Sequence, residues 1–226
     1  MRRSLLILGT ILWAGMMAAQ EGTLRGKVAV LRKSKKQNGS SDVVVWLTPY
    51  DFRPTLASTT APRLVQKDKQ FTPHVVAVTV GSKIDFPNRD PFFHDVFSIY
   101  HGRPFDLGLY ESGSTRSVGF IKPGLSYIFC NIHPQMSAVV VALETPYFAQ
   151  TTPDGGFQIE HLPPGRYKLR LWHEFTSDAE LDSLIRDVKI TNGDNALPEI
   201  PLHSSDGAAG HPNKYGEPYE TDKPTY

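Results

Sequence analysis

Short apolar stretches separated by turn residues run through most of the chain. Val76, Val78 and Val80 alternate with smaller or polar residues, and Tyr167 to Trp172 alternate in the same way. Alternation with a period of two is typical of β-strands that bury one face. The continuous apolar stretch SAVVVAL, residues 137–143, indicates a strand buried on both faces. The pattern therefore predicts an all-β protein of short strands.

Turn residues and one helical stretch divide these predicted strands. A hairpin turn is predicted at Asp154-Gly155-Gly156 and a second turn at Pro163-Pro164-Gly165. Ser177 to Glu180 form a capping box, in which serine and glutamate satisfy the first free N–H groups of a helix. Apolar residues follow at helical spacing: Leu181, Leu184, Ile185 and Val188. A short helix is therefore predicted here.

The first nineteen residues have the order of a secretory signal peptide. Arg2 and Arg3 precede an apolar run from Leu5 to Trp13, and small residues follow at Ala18-Ala19. We expect residues 1–19 to be removed on export and the mature chain to be periplasmic or secreted, with no stable membrane span. An uncleaved anchor is the alternative, although the run is short for a membrane span.

Composition narrows the class of partner. The formal net charge is +1, so nothing indicates a nucleic acid or an acidic partner.

Residues 204–226 are polar, rich in glycine and proline, and without periodicity, which predicts a disordered tail.

The only cysteine in the chain, Cys130, needs an explanation. Extracytoplasmic spaces are oxidising, and cysteines there normally pair. A single cysteine is buried and inert, joined to another chain, or bound to something else. A metal ion is one such binding partner, because it takes the thiolate and protects it from oxidation.

Four residues together indicate copper. Cys130, His133 and Met136 share one short loop, and His94 opens a predicted strand elsewhere. A thiolate and two imidazoles can form a trigonal copper plane, with a weakly bound thioether on the axis. Zinc would accept the cysteine and histidines, but a thioether is a poor fourth ligand for it. A Cys-His nucleophile is a third reading, which would leave the methionine without a role.

These residues resemble the ligand set of the cupredoxins, the small blue copper proteins. CNIHPQM matches the C-x-x-H-x-x-M loop of the amicyanin type, and IDFPNRDPFFHDVFS is similar to the strand before the first ligand. The resemblance implies a Greek-key β-sandwich over residues 62–144 and one type 1 copper ion bound by His94, Cys130, His133 and Met136. It also implies that the second imidazole lies at the surface, beside an apolar patch formed by Pro91, Phe92, Phe93 and Pro134.

Asp95 departs from the cupredoxin pattern. The residue after the first histidine is commonly asparagine in these proteins, and it ties the two ligand loops together. A carboxylate can accept the same hydrogen bonds, and an ionised one would favour Cu(II) and lower the reduction potential.

A second resemblance covers the rest of the chain. TTPDGGFQIEHLPPGRYKLRLWHE is similar to the carboxypeptidase regulatory-like domain, a small transthyretin-like β-sandwich. EGTLRGKVAVL and DVVVWLTP fit the two opening strands of such a domain, yet they precede the copper region. We therefore expect residues 21–49 and 146–203 to form one sandwich, into which the cupredoxin is inserted. The alternative assigns residues 21–49 to the cupredoxin itself. Pairing of residues 43–47 with residues 167–171 in one sheet would support this insertion.

The expected function is single-electron transfer between redox partner proteins. A copper storage or delivery protein that does not cycle its metal is the alternative. No His-x-His pair and no second copper loop occur in the sequence, which argues against an enzyme with several copper centres.

Overall fold

The computed structural model describes residues 21–32, 42–56, 62–99, 102–205 and 211–219. The regular structure of these residues is nearly all β, which confirms the predicted fold class. The predicted signal peptide lies outside the described residues. None of the helices in the described part of the chain is long and apolar enough to cross a membrane.

The elements follow one another in a simple order. The strands are β1 (Gly22–Arg32), β2 (Val44–Pro49), β3 (Val65–Lys67), β4 (Gln70–Thr72), β5 (Val75–Thr79), β6 (Ser82–Pro87), β7 (His94–Ser98), β8 (Phe105–Tyr110), β9 (Thr115–Phe120), β10 (Gly124–Cys130), β11 (Ser137–Leu143), β12 (Phe148–Gln150), β13 (Gly156–Leu162), β14 (Gly165–Trp172), β15 (Arg186–Ile190), β16 (Gly193–Ala196) and β17 (Ile200–Ser204). Helix α1 (Asp178–Ser183) lies between β14 and β15.

The middle of the chain forms one sandwich, which we call the central sandwich. Its larger sheet has the strand order β5-β11-β10-β7-β8, and its smaller sheets are the pairs β6-β9 and β3-β4. Two of the four neighbouring pairs in the larger sheet, β5-β11 and β10-β7, are not consecutive in sequence, as in Greek-key folds. The core between the sheets contains Ile84, Phe86, Val96, Phe120 and Ile128, all buried.

The two ends of the chain form a second sandwich, which we call the flanking sandwich. One sheet combines β13, β1, β16 and β17, and the other has the order β12-β2-β14-β15. Its core is apolar and includes Leu24, Val28, Leu47, Tyr167 and Leu169. Side chains alternate between the two faces along β2 and the residue before it. Val43, Val45 and Leu47 face this core, while Val44 and Trp46 face the other way.

Strand β2 pairs antiparallel with β14, although more than a hundred residues separate them. Leu47 lies opposite Leu169, and Val44 lies opposite Trp172. Strand β12 pairs with the other side of β2. This is the pairing that the insertion hypothesis requires. All strands of the central sandwich lie between β2 and β12 in the sequence.

The two sandwiches pack against each other through a third apolar cluster. Val139, Val141 and Leu143 of β11 meet Val44 and Trp172 of the flanking sandwich. The alternate residues of β11, Ala138, Val140 and Ala142, face the core of the central sandwich. The continuous apolar sequence of β11 is therefore explained by burial on both of its faces.

Local differences from the predicted elements have simple causes. Helix α1 begins as predicted, with the Ser177 side chain accepting a hydrogen bond from the Glu180 N–H, but it ends at Ser183. Val188 lies in β15, because pairing with β14 and burial of Ile190 in the flanking core outweigh the helical spacing. The turn around Gly155 is formed, yet it joins β12 and β13, which belong to different sheets and do not make a hairpin.

Candidate metal centre

His94 and Cys130 are brought together by strand pairing. His94 is the first residue of β7, and Cys130 is the last residue of β10. These strands run antiparallel, with Cys130 opposite Val96 and Phe129 opposite Phe97. The start of one strand therefore meets the end of the other, and both side chains are fully buried.

The loop after β10 folds back on itself and brings in His133. The Met136 N–H donates to the His133 carbonyl at 3.0 Å, and the Cys130 N–H donates to the Met136 carbonyl at 3.3 Å. Pro134 fits such a turn, because its ring fixes one backbone angle. This turn places the side chains of His133 and Cys130, which are three residues apart in sequence, on the same side of the loop.

Three donor atoms converge on one point. The Cys130 Sγ lies 3.6 Å from His94 Nδ1 and 3.5 Å from His133 Nδ1. All three ligand atoms lie within 4.8 Å of one another. Thiolate and imidazole ligands lie about 2.3 and about 2.0 Å from a transition-metal ion such as zinc, which places sulfur and nitrogen about 3.6 Å apart. The spacing therefore fits one shared ion, whereas a single thiol proton could serve only one imidazole.

The side chain of Met136 is fully buried in the same apolar cluster as Cys130. Its backbone closes the ligand loop through the two hydrogen bonds already described. The structure thus brings His94, Cys130 and His133 into one cluster and places Met136 in the core beside them. An axial role for its thioether stays a prediction.

Asp90 fixes the orientation of the first imidazole. Its Oδ2 atom lies 2.9 Å from His94 Nε2. With Nε2–H donating to this carboxylate, Nδ1 is free of a proton and directs its lone pair toward Cys130. Asp90 itself is held by the backbone N–H groups of Asp68, at 2.6 Å, and Lys69, at 3.0 Å.

Burial and hydrogen bonding set the protonation states of these groups. Burial raises the pKa of the Cys130 thiol, only partly opposed by hydrogen bonds to nearby backbone groups. Burial lowers the pKa of His94 and outweighs the opposing effect of the hydrogen bond that His94 donates to Asp90. Burial alone would raise the pKa of Asp90, but hydrogen bonds from Lys69, His94 and Asp68 together lower it. The metal-free site therefore has a neutral thiol and a neutral imidazole beside a carboxylate.

His133 is 3% exposed, so its side chain lies below the surface and not at it. The ring of Phe92 covers both imidazoles, with centroids 5.4 Å from His94 and 5.5 Å from His133. The neighbouring Phe93 is 50% exposed. Of the four residues of the predicted patch, Phe92 is half-buried against both imidazoles. The other three are exposed: Pro91, Phe93 and Pro134.

Asp95 ties the two ligand segments together, as predicted for this position. Its backbone carbonyl accepts from the Asn131 N–H at 2.8 Å, and its Oδ2 accepts from Asn131 Nδ2 at 3.1 Å. These bonds join the residue after His94 to the residue after Cys130. The carboxylate thus takes the linking role that asparagine has in the resembled family.

Residues 211–219 lie against this ligand loop, although the composition predicts a disordered tail. The His211 ring stacks on Phe129 with centroids 3.9 Å apart, and the Tyr219 hydroxyl donates to the Cys130 carbonyl at 2.7 Å. Lys214 contacts Asn131 and Asp95. Aromatic and basic side chains therefore order a segment whose sequence lacks periodicity. Residues 206–210 and 220–226 lie outside the described residues.

Sequence reasoning missed Asp90, Lys214 and Tyr219. Asp90 carried a usable signal, because it precedes His94 by four residues in DPFFH and a histidine ligand commonly needs a partner for its second nitrogen. No comparable signal marks Lys214 or Tyr219, since their partners are more than eighty residues away.

The chain is similar to several solved cupredoxin structures. A purple cupredoxin from Nitrosopumilus maritimus is 18% identical, over 36% of this chain and 99% of that chain, with a TM-score of 0.33. A reduced mutant of amicyanin is 19% identical, over 38% of this chain and 86% of that chain, with a TM-score of 0.35. A copper-containing nitrite reductase from Thermus scotoductus SA-01 is 21% identical, over 52% of this chain and 28% of that chain, with a TM-score of 0.37.

No protein-family model and no curated protein matches the chain.

Proposed function

We propose that this protein is an exported type 1 copper protein that carries single electrons between redox partners. One observation carries the proposal: two imidazole Nδ1 atoms face the same buried sulfur at 3.5 and 3.6 Å. A soft thiolate with two imidazoles is the donor set that suits both copper oxidation states. A bound copper ion would supply the one-electron redox chemistry.

The residues of the chain have distinct tasks in this proposal. His94, Cys130 and His133 hold the ion, and Met136 is the proposed axial ligand. Asp90 keeps the proton of His94 on Nε2, so that Nδ1 stays available. A site built between two paired strands is rigid, and a rigid site reorganises little when the charge of its ion changes. Rapid electron transfer requires this property.

Burial argues against the cysteine as a nucleophile. Reactive cysteines lie in partly exposed sites that lower the thiol pKa. Cys130 is fully buried, and its pKa is raised by that burial. We therefore propose a role in electron transfer and not in catalysis.

We also propose the domain division predicted from sequence. The pairing of β2 with β14 supports one sandwich built from residues 21–49 and 146–203, similar to a carboxypeptidase regulatory-like domain. The cupredoxin domain would then span residues 62–144. We propose a periplasmic or secreted location for the mature chain, where redox partner proteins would meet it.

Copper storage or delivery is the second candidate function. Its basis is the depth of the site, since His133 is 3% exposed and Phe92 covers both imidazoles. A buried ion is well retained, whereas an electron carrier needs one ligand near the surface.

Protein-film voltammetry and a redox titration of the copper-loaded protein would separate these functions. We expect one reversible one-electron couple, with the visible band bleaching on reduction and returning fully on oxidation. A Cys130→Ser variant treated with the same amount of copper is the control. A wild-type protein that binds Cu(I) tightly but shows no reversible couple would favour storage or delivery.

A further inference from the structure

The segment from His211 to Tyr219, which we call the strap, crosses the loop that follows β10. It contacts the last two residues of β10 and the first residue of that loop. His211 stacks on Phe129, Lys214 donates its backbone N–H to the Asn131 Oδ1 at 3.0 Å, and Tyr219 donates its hydroxyl to the Cys130 carbonyl. The strap therefore binds three consecutive residues, 129–131, of which the middle one is the candidate thiolate ligand.

Lys214 makes the strap part of an electrostatic link between the two ligand segments. Its Nζ atom lies 3.0 Å from Asp95 Oδ2 and 3.0 Å from Asp106 Oδ2. Asp95 follows His94 directly, and Asp106 lies on the neighbouring strand β8. The same Asp95 oxygen accepts from Asn131 Nδ2. Asp95, Asn131 and Lys214 thus form a closed ring of contacts.

The charge balance of this ring depends on Lys214. The side chain of Asp95 is 9% exposed and that of Lys214 is 16% exposed, so water screens the pair poorly. Two carboxylates approach the same ammonium group, and each would repel the other without it. Burial would lower the pKa of Lys214, but its contacts with Asp95 and Asp106 outweigh burial and raise that pKa. The lysine is therefore held in its charged form.

We propose that the strap is a structural part of the metal centre and that Lys214 is a positioning residue, which fixes the strand of His94 relative to the loop of Cys130. The expected effect of Lys214 on the copper ion rests on the proposed copper function. The expected effect of Lys214 on the Cys130 thiol does not depend on copper. Without Lys214 the ring opens, the ligand loop moves more freely, and the buried thiol becomes accessible more often.

The test measures the reaction of Cys130 with a small thiol reagent in the metal-free full-length protein, under conditions where the fold is intact. Loss of a charge-assisted hydrogen-bonded contact predicts about tenfold faster modification in Lys214→Met. Lys214→Arg, which can still contact two carboxylates, should stay within about twofold of wild type. Lys122→Met, at an exposed turn of the same sandwich, is the matched control and should leave the rate unchanged.

The same variants are then loaded with Cu(II). Lys214→Met removes a positive charge from the site, so its copper should have a lower reduction potential and a shifted thiolate-to-copper band. Neither readout should move in Lys122→Met. A lysine that stabilised the fold alone would lower the unfolding midpoint but leave the potential and the band unchanged.

Equal thiol reactivity in wild type and Lys214→Met would overturn the positioning role. Tyr219→Phe provides a second test, because it removes only the hydroxyl that donates to the Cys130 carbonyl and should speed modification about threefold. Suppose that thiol modification is faster in Lys214→Met and Tyr219→Phe, but that no protein, wild type included, binds copper. This result would support the structural role of the strap. The same result would reject the proposed function.

Discussion

The two sandwiches bury similar apolar cores but treat polar side chains differently. In the described part of the chain, the central sandwich buries four hydroxyls: Thr79, Ser82, Ser98 and Ser126. It also buries two carboxylates, two imidazoles, a thiol and two carboxamides: Asp90, Asp95, His94, His133, Cys130, Gln66 and Asn88. The buried polar groups of the flanking sandwich are hydroxyls and one imidazole: Thr145, Thr151, Thr176, Ser204 and His173. Burying titratable groups costs stability unless they are paired, so the cluster of them in the central sandwich marks the candidate functional site.

The flanking sandwich shares a buried apolar cluster with the central sandwich, and burial in this cluster stabilises both. Strand β11 is buried on both faces because of this contact, and it directly follows the ligand loop. The two sandwiches therefore differ in the polar groups that they bury, but neither is structurally independent of the other. Three predictions test this comparison, from the largest expected effect to the smallest.

Trp172→Ala should lower the free energy of unfolding by about 3 kcal/mol, since Trp172 is 6% exposed in the cluster between the sandwiches. Urea unfolding followed by fluorescence and circular dichroism would measure the change. One cooperative transition should remain, and the copper spectrum of the folded protein should stay the same. Ile121→Ala, at a site 62% exposed, is the control and should change stability by less than about 0.5 kcal/mol. No loss of stability in Trp172→Ala would mean that the sandwiches are uncoupled.

Asp90→Asn should weaken copper binding about 10- to 100-fold, which is the usual cost of losing the partner of a histidine ligand. The single amide oxygen can replace only one carboxylate oxygen, so it can keep either the bond from the Asp68 N–H at the Oδ1 position or the bond from the Lys69 N–H at the Oδ2 position. Circular dichroism would check that the fold remains. Competition with a copper chelator would measure the affinity. Asp85→Asn, a more exposed carboxylate of β6 that bonds Ser117, should bind copper like wild type. Unchanged affinity in Asp90→Asn would show that His94 needs no carboxylate to orient it.

The pair formed by His74 and Glu174 joins the sandwiches at their surface, with Nε2 2.6 Å from Oε2. The hydrogen bond to Glu174 raises the pKa of His74, so the charged form is favoured in the folded protein. The stabilisation should be complete below the ordinary histidine pKa of about 6.5 and should disappear as pH rises through the raised value.

His74→Gln tests this linkage. Because the histidine is more than a third exposed, we expect a loss of only about 0.5 kcal/mol at pH 5.5 and a smaller loss at pH 8.5. Urea unfolding of both proteins at several pH values would measure the difference. A difference that grew with pH would contradict the assigned direction of the shift.

Local patterns were sufficient to predict the strands and the ligand loop. Alternation in residues 75–79 and the apolar run of β11 correspond to strands in the structure. The spacing of Cys130 and His133 on one loop is also a local property, and a turn brings the two side chains together. The chemistry of the donor set included His94, but its contact with Cys130 could not be predicted from a local pattern, because that contact depends on how β7 pairs with β10.

Long-range contacts limited the rest of the prediction. The end of α1 depends on the pairing of β15 with β14, which overrides the helical spacing of Val188. The strap has no periodicity, so its composition alone predicts disorder. Its order comes from partners such as Phe129 and Asp95, which are distant in sequence.

The most direct test of the metal centre is the visible absorption spectrum of the purified mature protein after addition of one equivalent of Cu(II), compared with Cys130→Ser. We predict an intense red-absorbing thiolate-to-copper band in the wild-type protein and its complete loss in the variant, with both proteins folded. A wild-type protein that binds no copper, or a band that persists in Cys130→Ser, would contradict the assignment of His94, Cys130 and His133 as a copper site.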